Sequence, residues 1–148
     1  MLRNIKNFSL PEIEEKVLKF WTENQVFEKS LEKTKKGKPF TFYDGPPFAT
    51  GLPHYGHILA STIKDVIPRY QTMRGRFVRR RWGWDCHGLP IEEIVERYLK
   101  ISGKKEIEKL GIGKFNATCR SKVLEFVGEW RKMVRRIARW VDFDNSYK

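Results

Sequence analysis

An α/β fold is predicted by three observations. A short strand-like run, Pro39-Phe40-Thr41-Phe42, leads into a segment rich in glycine and proline. Apolar residues at helical spacing follow, namely Leu59, Ile63, Val66, Ile67 and Tyr70. A second strand-like run, RFVRRRW at residues 76–82, comes after Gly75, a helix stop signal. Strand, helix and strand in this order make a parallel unit with a right-handed crossover. The intervening segment, YDGPPFATGLPHYGH, then lies at the carboxyl end of the first strand, where open α/β sheets bind ligands.

Residues 9–27 read as an amphipathic helix. Ser9 and Glu12 have capping-box spacing, and Leu10, Ile13, Val17, Phe20 and Trp21 share one stripe, with Trp21 read as packing. Residues 29–38 are charged, contain Gly37 and read as a linker, so residues 1–38 form a helical arm and linker and residues 39–148 the sheet domain. The first strand is expected over residues 40–43. A helix is expected over 58–73, with Pro68 kinking or weakening one turn. After the second strand comes another glycine-bounded loop, Gly83-Trp84-Asp85-Cys86-His87-Gly88, which should lie beside the first. Residues 89–99 read as a helix with Pro90, Glu92 and Glu93 early, where they suit its dipole. A short helix over 104–110 stops at Gly111. Residues 114–140 carry a long apolar rhythm (Phe115, Cys119, Val123, Phe126, Trp130, Val134, Ile137) and read as one long helix. Residues 142–148 read as a short polar tail.

Composition bounds the function. The 148 residues suffice for one domain with a core. Lys and Arg outnumber Asp and Glu 30 to 18, a formal charge of +12, which favours a polyanionic partner such as RNA or nucleotide phosphate. No apolar run approaches membrane-spanning length, and MLRNIKNFSLPEIEE lacks the apolar core of a secretory signal. Cys86 and Cys119 are too few for a disulfide framework or a closed zinc site, so they read as reduced thiols in a cytoplasmic protein with no metal centre of its own.

The shaped loop at 43–57 holds the chemistry. His54 and His57 straddle the start of a helix, where unpaired N–H groups and the positive dipole end attract phosphate. In isolation an HxxH pair reads as two polar loop residues. Gly56 between them and Gly45-Pro46-Pro47 upstream support the phosphate reading, because glycine lets backbone and ligand approach closely. Asp85 follows Trp82 and Trp84 and has two readings of equal weight: a partner for a substrate ammonium group, or a turn aspartate. Arg74, Arg76, Arg79, Arg80 and Arg81 read either as contacts to RNA or triphosphate or as a solvated edge. Strand alternation puts Arg79 and Arg81 on one face and Arg80 on the other. The basic residues over 114–139 read as a solvated face.

These residues also carry a resemblance. HYGH is similar to the HIGH signature of class I aminoacyl-tRNA synthetases, with Tyr55 in the place of isoleucine. GPPFATGLPHYGH and GWDCHGLPIE together resemble the isoleucyl branch of that family, as do FWTENQVFEKS and RWVDFDNSY nearer the two ends. The resemblance implies the first half of a Rossmann-type sheet. It implies that His54, Gly56 and His57 bind ATP, with the two histidines catalytic through stabilising charge as pyrophosphate leaves. It implies that Gly45, Pro46, Pro47 and Asp85 bind isoleucine, with Asp85 on its ammonium group. ATP would bring Mg2+, and tRNA(Ile) would accept the acyl group. No KMSKS-like stretch is found, and the editing and anticodon-binding regions of the family have no counterpart. The expectation is therefore a synthetase fragment or subunit needing a complementing C-terminal synthetase fragment. The alternatives are a non-catalytic nucleotide- or tRNA-binding module and the valyl specificity.

Overall fold

In the computed structural model, residues 9–148 are described; the first eight residues of the arm expected over 1–38 lie outside them. The core forms around tryptophan. Residues two apart on a strand share a face, and Trp82 and Trp84 accordingly point together into a cluster with Ala49, Trp130, Val134 and Phe143. A second cluster, Ile91, Val95, Phe115 and Val123, joins two helices further along the chain.

The helices are α1 (Leu10–Glu23), α2 (Val26–Thr34), α3 (Tyr55–Met73), α4 (Leu89–Leu99), α5 (Lys104–Leu110), α6 (Ile112–Lys122) and α7 (Val127–Arg136). The strands are β1 (Arg81–Gly83) and β2 (Asp142–Tyr147), paired in parallel with Arg81 opposite Asp142 and Gly83 opposite Tyr147. Segment 39–48 approaches the other edge of the β1 segment through isolated parallel bridges, Pro39 to Phe77 and Phe48 to Asp85. Consecutive amides show the two edges: Trp84 N–H donates to Tyr147 O, while Asp85 N–H donates to Pro47 O, each at 2.9 Å. Three parallel segments thus lie side by side, with 77–85 in the middle.

Several expectations need correction. Residues 40–43 form no regular strand. Pro39, Pro46 and Pro47 carry no N–H for a ladder, and side chains hold Asp44 and Gly45 instead. The second strand is regular only at Arg81–Gly83. The tail read as polar is β2, in which Phe143 alone is buried; its polar neighbours hid the strand. The single long helix over 114–140 is two helices, α6 and α7, separated by a turn at 123–126. The turn redirects one apolar rhythm into two cores: Phe115 and Val123 serve the second cluster, Trp130 and Val134 the first. It also frees Phe126 N–H to donate to Ala49 O at 3.2 Å.

The arm differs as well. The helix over 9–27 breaks at Gln25, whose φ is 49°, and most of the expected linker is α2. Its Glu and Lys residues are good helix formers, and Lys35 pairs with Glu32 at 3.4 Å. Ser9 occupies the N-cap of α1 without a side-chain capping bond. Trp21 packs edge-on to Trp140 with centroids 5.3 Å apart, as a packing residue should. Helices α4 and α5 have their expected bounds, and α3 begins three residues early and continues through buried Pro68. Among the described residues, no helix is long and apolar enough to cross a membrane.

Candidate active site

The loop leading into α3 is shaped by its own histidines. His54 is the N-cap in an extended conformation, and its Nδ1 accepts the Gly56 N–H at 3.1 Å. In return His57 Nδ1 accepts the His54 N–H at 3.2 Å. This reciprocal cap satisfies donors that a helix start leaves unpaired. It stacks the two rings with centroids 3.8 Å apart. It also fixes their chemistry. A nitrogen that accepts from a backbone N–H carries no proton, so each neutral ring holds its proton on Nε2. Two Nε2–H donors therefore stand together at the positive end of a 19-residue helix.

Gly56 serves this geometry directly. A Cβ there would sit 3.0 Å from His54 Cε1, so any larger residue presses on the capping ring. Burial, then the neighbouring His54, then the Lys64 charge, hold the His57 imidazole below its ordinary pKa of 6.5. Tyr55 at the second signature position is solvent-exposed and takes no part in the cap.

The second loop lies beside the first, as expected, joined by the Asp85-to-Pro47 bond and the Phe48–Asp85 bridge. Pro46 and Pro47 are half-buried and Gly45 is exposed. Asp85 is half-buried, and among the described residues its carboxylate forms no salt bridge. No hydrogen bond joins Asp85 to either histidine. The link is aromatic: the His57 ring lies 4.6 Å from Trp130, and Trp130 lies 5.9 Å from Trp84, the neighbour of Asp85. Cys86 and Cys119 are free, with burial pushing both thiols up, so they stay protonated at neutral pH. Among the described residues, no cluster of three or more His, Cys, Asp or Glu could hold a metal ion.

Sequence reasoning missed an ionic knot under the first loop. Asp44 Oδ1 lies 2.7 Å from the Lys64 ammonium, and Asp44 Oδ2 lies 2.5 Å from Arg139. Lys64 Nζ also donates to Gly45 O at 2.6 Å. Arg139, read as part of a solvated face, has a side chain only 4% exposed; its partner lies 95 residues away, and no local pattern points to the pairing. Asp44 stood in view inside YDGPP, but a carboxylate in a turn reads as local.

Part of each basic region is engaged within the fold. Arg80 is buried against Phe27 and Trp140, while Arg79 and Arg81 are exposed, as alternation requires. Desolvation lowers the Arg80 pKa to about 10, so it remains charged. On α7, Arg131 pairs with Asp144, Lys132 with Glu129, and Arg136 with Glu14.

Comparison with known proteins fits this geometry. Residues 16–148 match the family model described as tRNA synthetases class I (I, L, M and V). The isoleucine–tRNA ligase of Treponema pallidum is 58% identical over 135 residues, 91% of this chain and 12% of that protein. The isoleucine–tRNA ligase of Protochlamydia amoebophila is 58% identical over 149 aligned positions, 100% of this chain and 14% of that protein. The cytoplasmic isoleucine–tRNA ligase of Arabidopsis thaliana is 57% identical over 143 residues, 97% of this chain and 12% of that protein. The chain thus spans about one-eighth of the length of these relatives.

Proposed function

Because the chain belongs to the class I tRNA synthetase family, we propose that it carries the ATP-phosphate and isoleucine-binding parts of an isoleucine–tRNA ligase active site. The observation that carries this reading is the reciprocal histidine cap. It turns the Nδ1 atom of each ring to a backbone N–H, so that in the neutral form each ring keeps an Nε2–H donor at a helix N-terminus. Donors fixed before the ligand arrives suit charge that develops during reaction.

In the proposed reaction the isoleucine carboxylate attacks the α-phosphorus of ATP. The bond to pyrophosphate breaks, and isoleucyl-adenylate forms. A hydroxyl of the terminal adenosine of tRNA(Ile) then takes the acyl group, releasing AMP. His54 and His57 donate to phosphate oxygens and spread the charge of the leaving pyrophosphate. Gly56 keeps the approach open for the nucleotide. Gly45, Pro46 and Pro47 shape the amino-acid pocket, and Asp85 holds the ammonium group. Neither step passes through a covalent bond to the protein, so positioning and prearranged charge supply the rate. Mg2+ travels with the ATP phosphates, where it neutralises charge. The same reading places the chain in the cytoplasm, in keeping with the printed names of two relatives.

Isoleucine-dependent ATP–pyrophosphate exchange tests the proposal. It is measured with and without a complementing C-terminal synthetase fragment. Exchange in either arm is expected, with His54→Ala or His57→Ala lowering it by about 10²–10³-fold, the usual effect of losing one such donor. Absence of exchange in both arms, with ATP binding retained, would leave a nucleotide-binding module. Exchange with valine exceeding that with isoleucine would reassign the specificity.

A further inference from the structure

We propose that Trp130 is a positioning residue for His57, holding the imidazole so that Nε2 faces the phosphates; this rests on the ATP-site reading above. Trp130 belongs to α7, far along the chain from the histidine loop, and its side chain is almost wholly buried, with 1% of the residue exposed. Its indole N–H donates to Gly51 O at 2.9 Å, tying it to the loop just ahead of His54. One turn earlier, Phe126 N–H donates to Ala49 O in the same loop. The ring then lies 4.6 Å from the His57 ring at an interplanar angle of 59°.

Two constraints therefore act on His57. The His54 N–H fixes which nitrogen is unprotonated, and the Trp130 ring limits rotation about the imidazole's own axis. Trp130 is itself immobilised by Trp82 and Trp84, with centroids 6.1 and 5.9 Å away. The same indole packs on Trp84, whose neighbour in the chain is Asp85. The burial that lowers the His57 pKa agrees with a large aromatic wall at this position.

A purely structural tryptophan would behave differently from a positioning one, and titration separates them. The His54 and His57 ring protons are followed by NMR in this 148-residue chain against pH. Trp130→Phe is compared with Val95→Ala, which truncates a fully buried residue of the second cluster. Trp130→Phe is expected to raise the His57 pKa toward 6.5, the ordinary value, and to shift its ring protons. Val95→Ala is expected to lower stability and leave the His57 titration in place. In the exchange assay with the complementing fragment, Trp130→Phe should lower kcat, by up to about 10²-fold, with little change in KM for isoleucine. Equal His57 titrations in the two variants would overturn the proposal. Should Trp130→Phe not fold, the wild-type chain decides. The Trp130 indole N–H signal must move with the His57 titration, and cross-relaxation must join the two rings; absence of both would overturn it. These spectra need no ATP, so they stand apart from any failure of the ATP-site reading itself.

Discussion

Helices α3 and α7 both carry an apolar rhythm, and the fold uses the two in opposite ways. On α7 the large residues Trp130 and Val134 are buried in the core. On α3 the buried residues are Ser61, Pro68 and Thr72, while Leu59, Ile63, Val66, Ile67 and Tyr70 are 43–63% exposed. The inner face of α3 is held by polar contacts instead. Lys64 reaches Asp44 and Gly45 O, Asp65 pairs with Arg69 and accepts from Trp140 N–H, and Arg69 donates to Ala138 O. Periodicity shows that a helix has an apolar stripe. It does not show which way the stripe faces.

The largest effect is expected in the core beneath α7. Trp82→Ala removes a fully buried ring from the cluster that α7 helps to build. It should cost about 3–5 kcal/mol, the range for large aromatic truncations, read as a lowered denaturant midpoint. A loss below about 1 kcal/mol, within the spread of ordinary substitutions, would mean that this cluster is not what anchors α7. The polar side of α3 comes next. Asp44→Ala leaves Arg139 buried without its counter-ion, and Lys64 without its carboxylate. About 3 kcal/mol is expected for breaking a buried pair from one side. Urea unfolding of Asp44→Ala beside Trp82→Ala ranks the two.

Gly83 sharpens the contrast at the sheet. A Cβ there would lie 2.2 Å from the Tyr147 ring, so Gly83→Ala must displace Tyr147 from Asp44 O, which it reaches at 3.2 Å. Overpacking of this kind costs about 1–3 kcal/mol, and thermal unfolding measures it.

A smaller effect depends on pH. The folded chain holds His57 below the ordinary 6.5, so the unfolded chain binds more protons in the interval between the two values. Its contribution to stability is complete above about 6.5 and diminishes as pH falls through that value toward the lower folded one. His57→Gln should flatten this part of the stability profile, measured by denaturant midpoints on either side of it. The smallest effect belongs to the outer face of α3. Ile63→Ser is expected to change stability by no more than about 0.5 kcal/mol, because its side chain already meets solvent. A loss as large as that of Trp82→Ala would show that the stripe is covered in solution.

Much of the site was legible because it is local. Two histidines, a glycine between them and a helix just beyond lie within one short stretch, and α4 and α5 had clear start and stop residues. The pairing of the two loops followed from strand order alone. What escaped reading depends on distance or on partners. Asp44 meets Arg139 across 95 residues, and Trp130 meets Gly51 O across 79. The break between α6 and α7 hid because one apolar rhythm serves two clusters. Strand β2 hid because its single buried residue, Phe143, sits among polar neighbours.

Those long separations also order events during translation. Pro47, Ala49, Gly51 and Asp44 leave the ribosome well before the groups that fix them, and the Gly51 carbonyl waits for an indole 79 residues downstream. At about 5–20 residues per second, that delay is roughly 4–16 s. Through this interval the nascent histidine loop lacks the two hydrogen bonds that Trp130 and Phe126 supply.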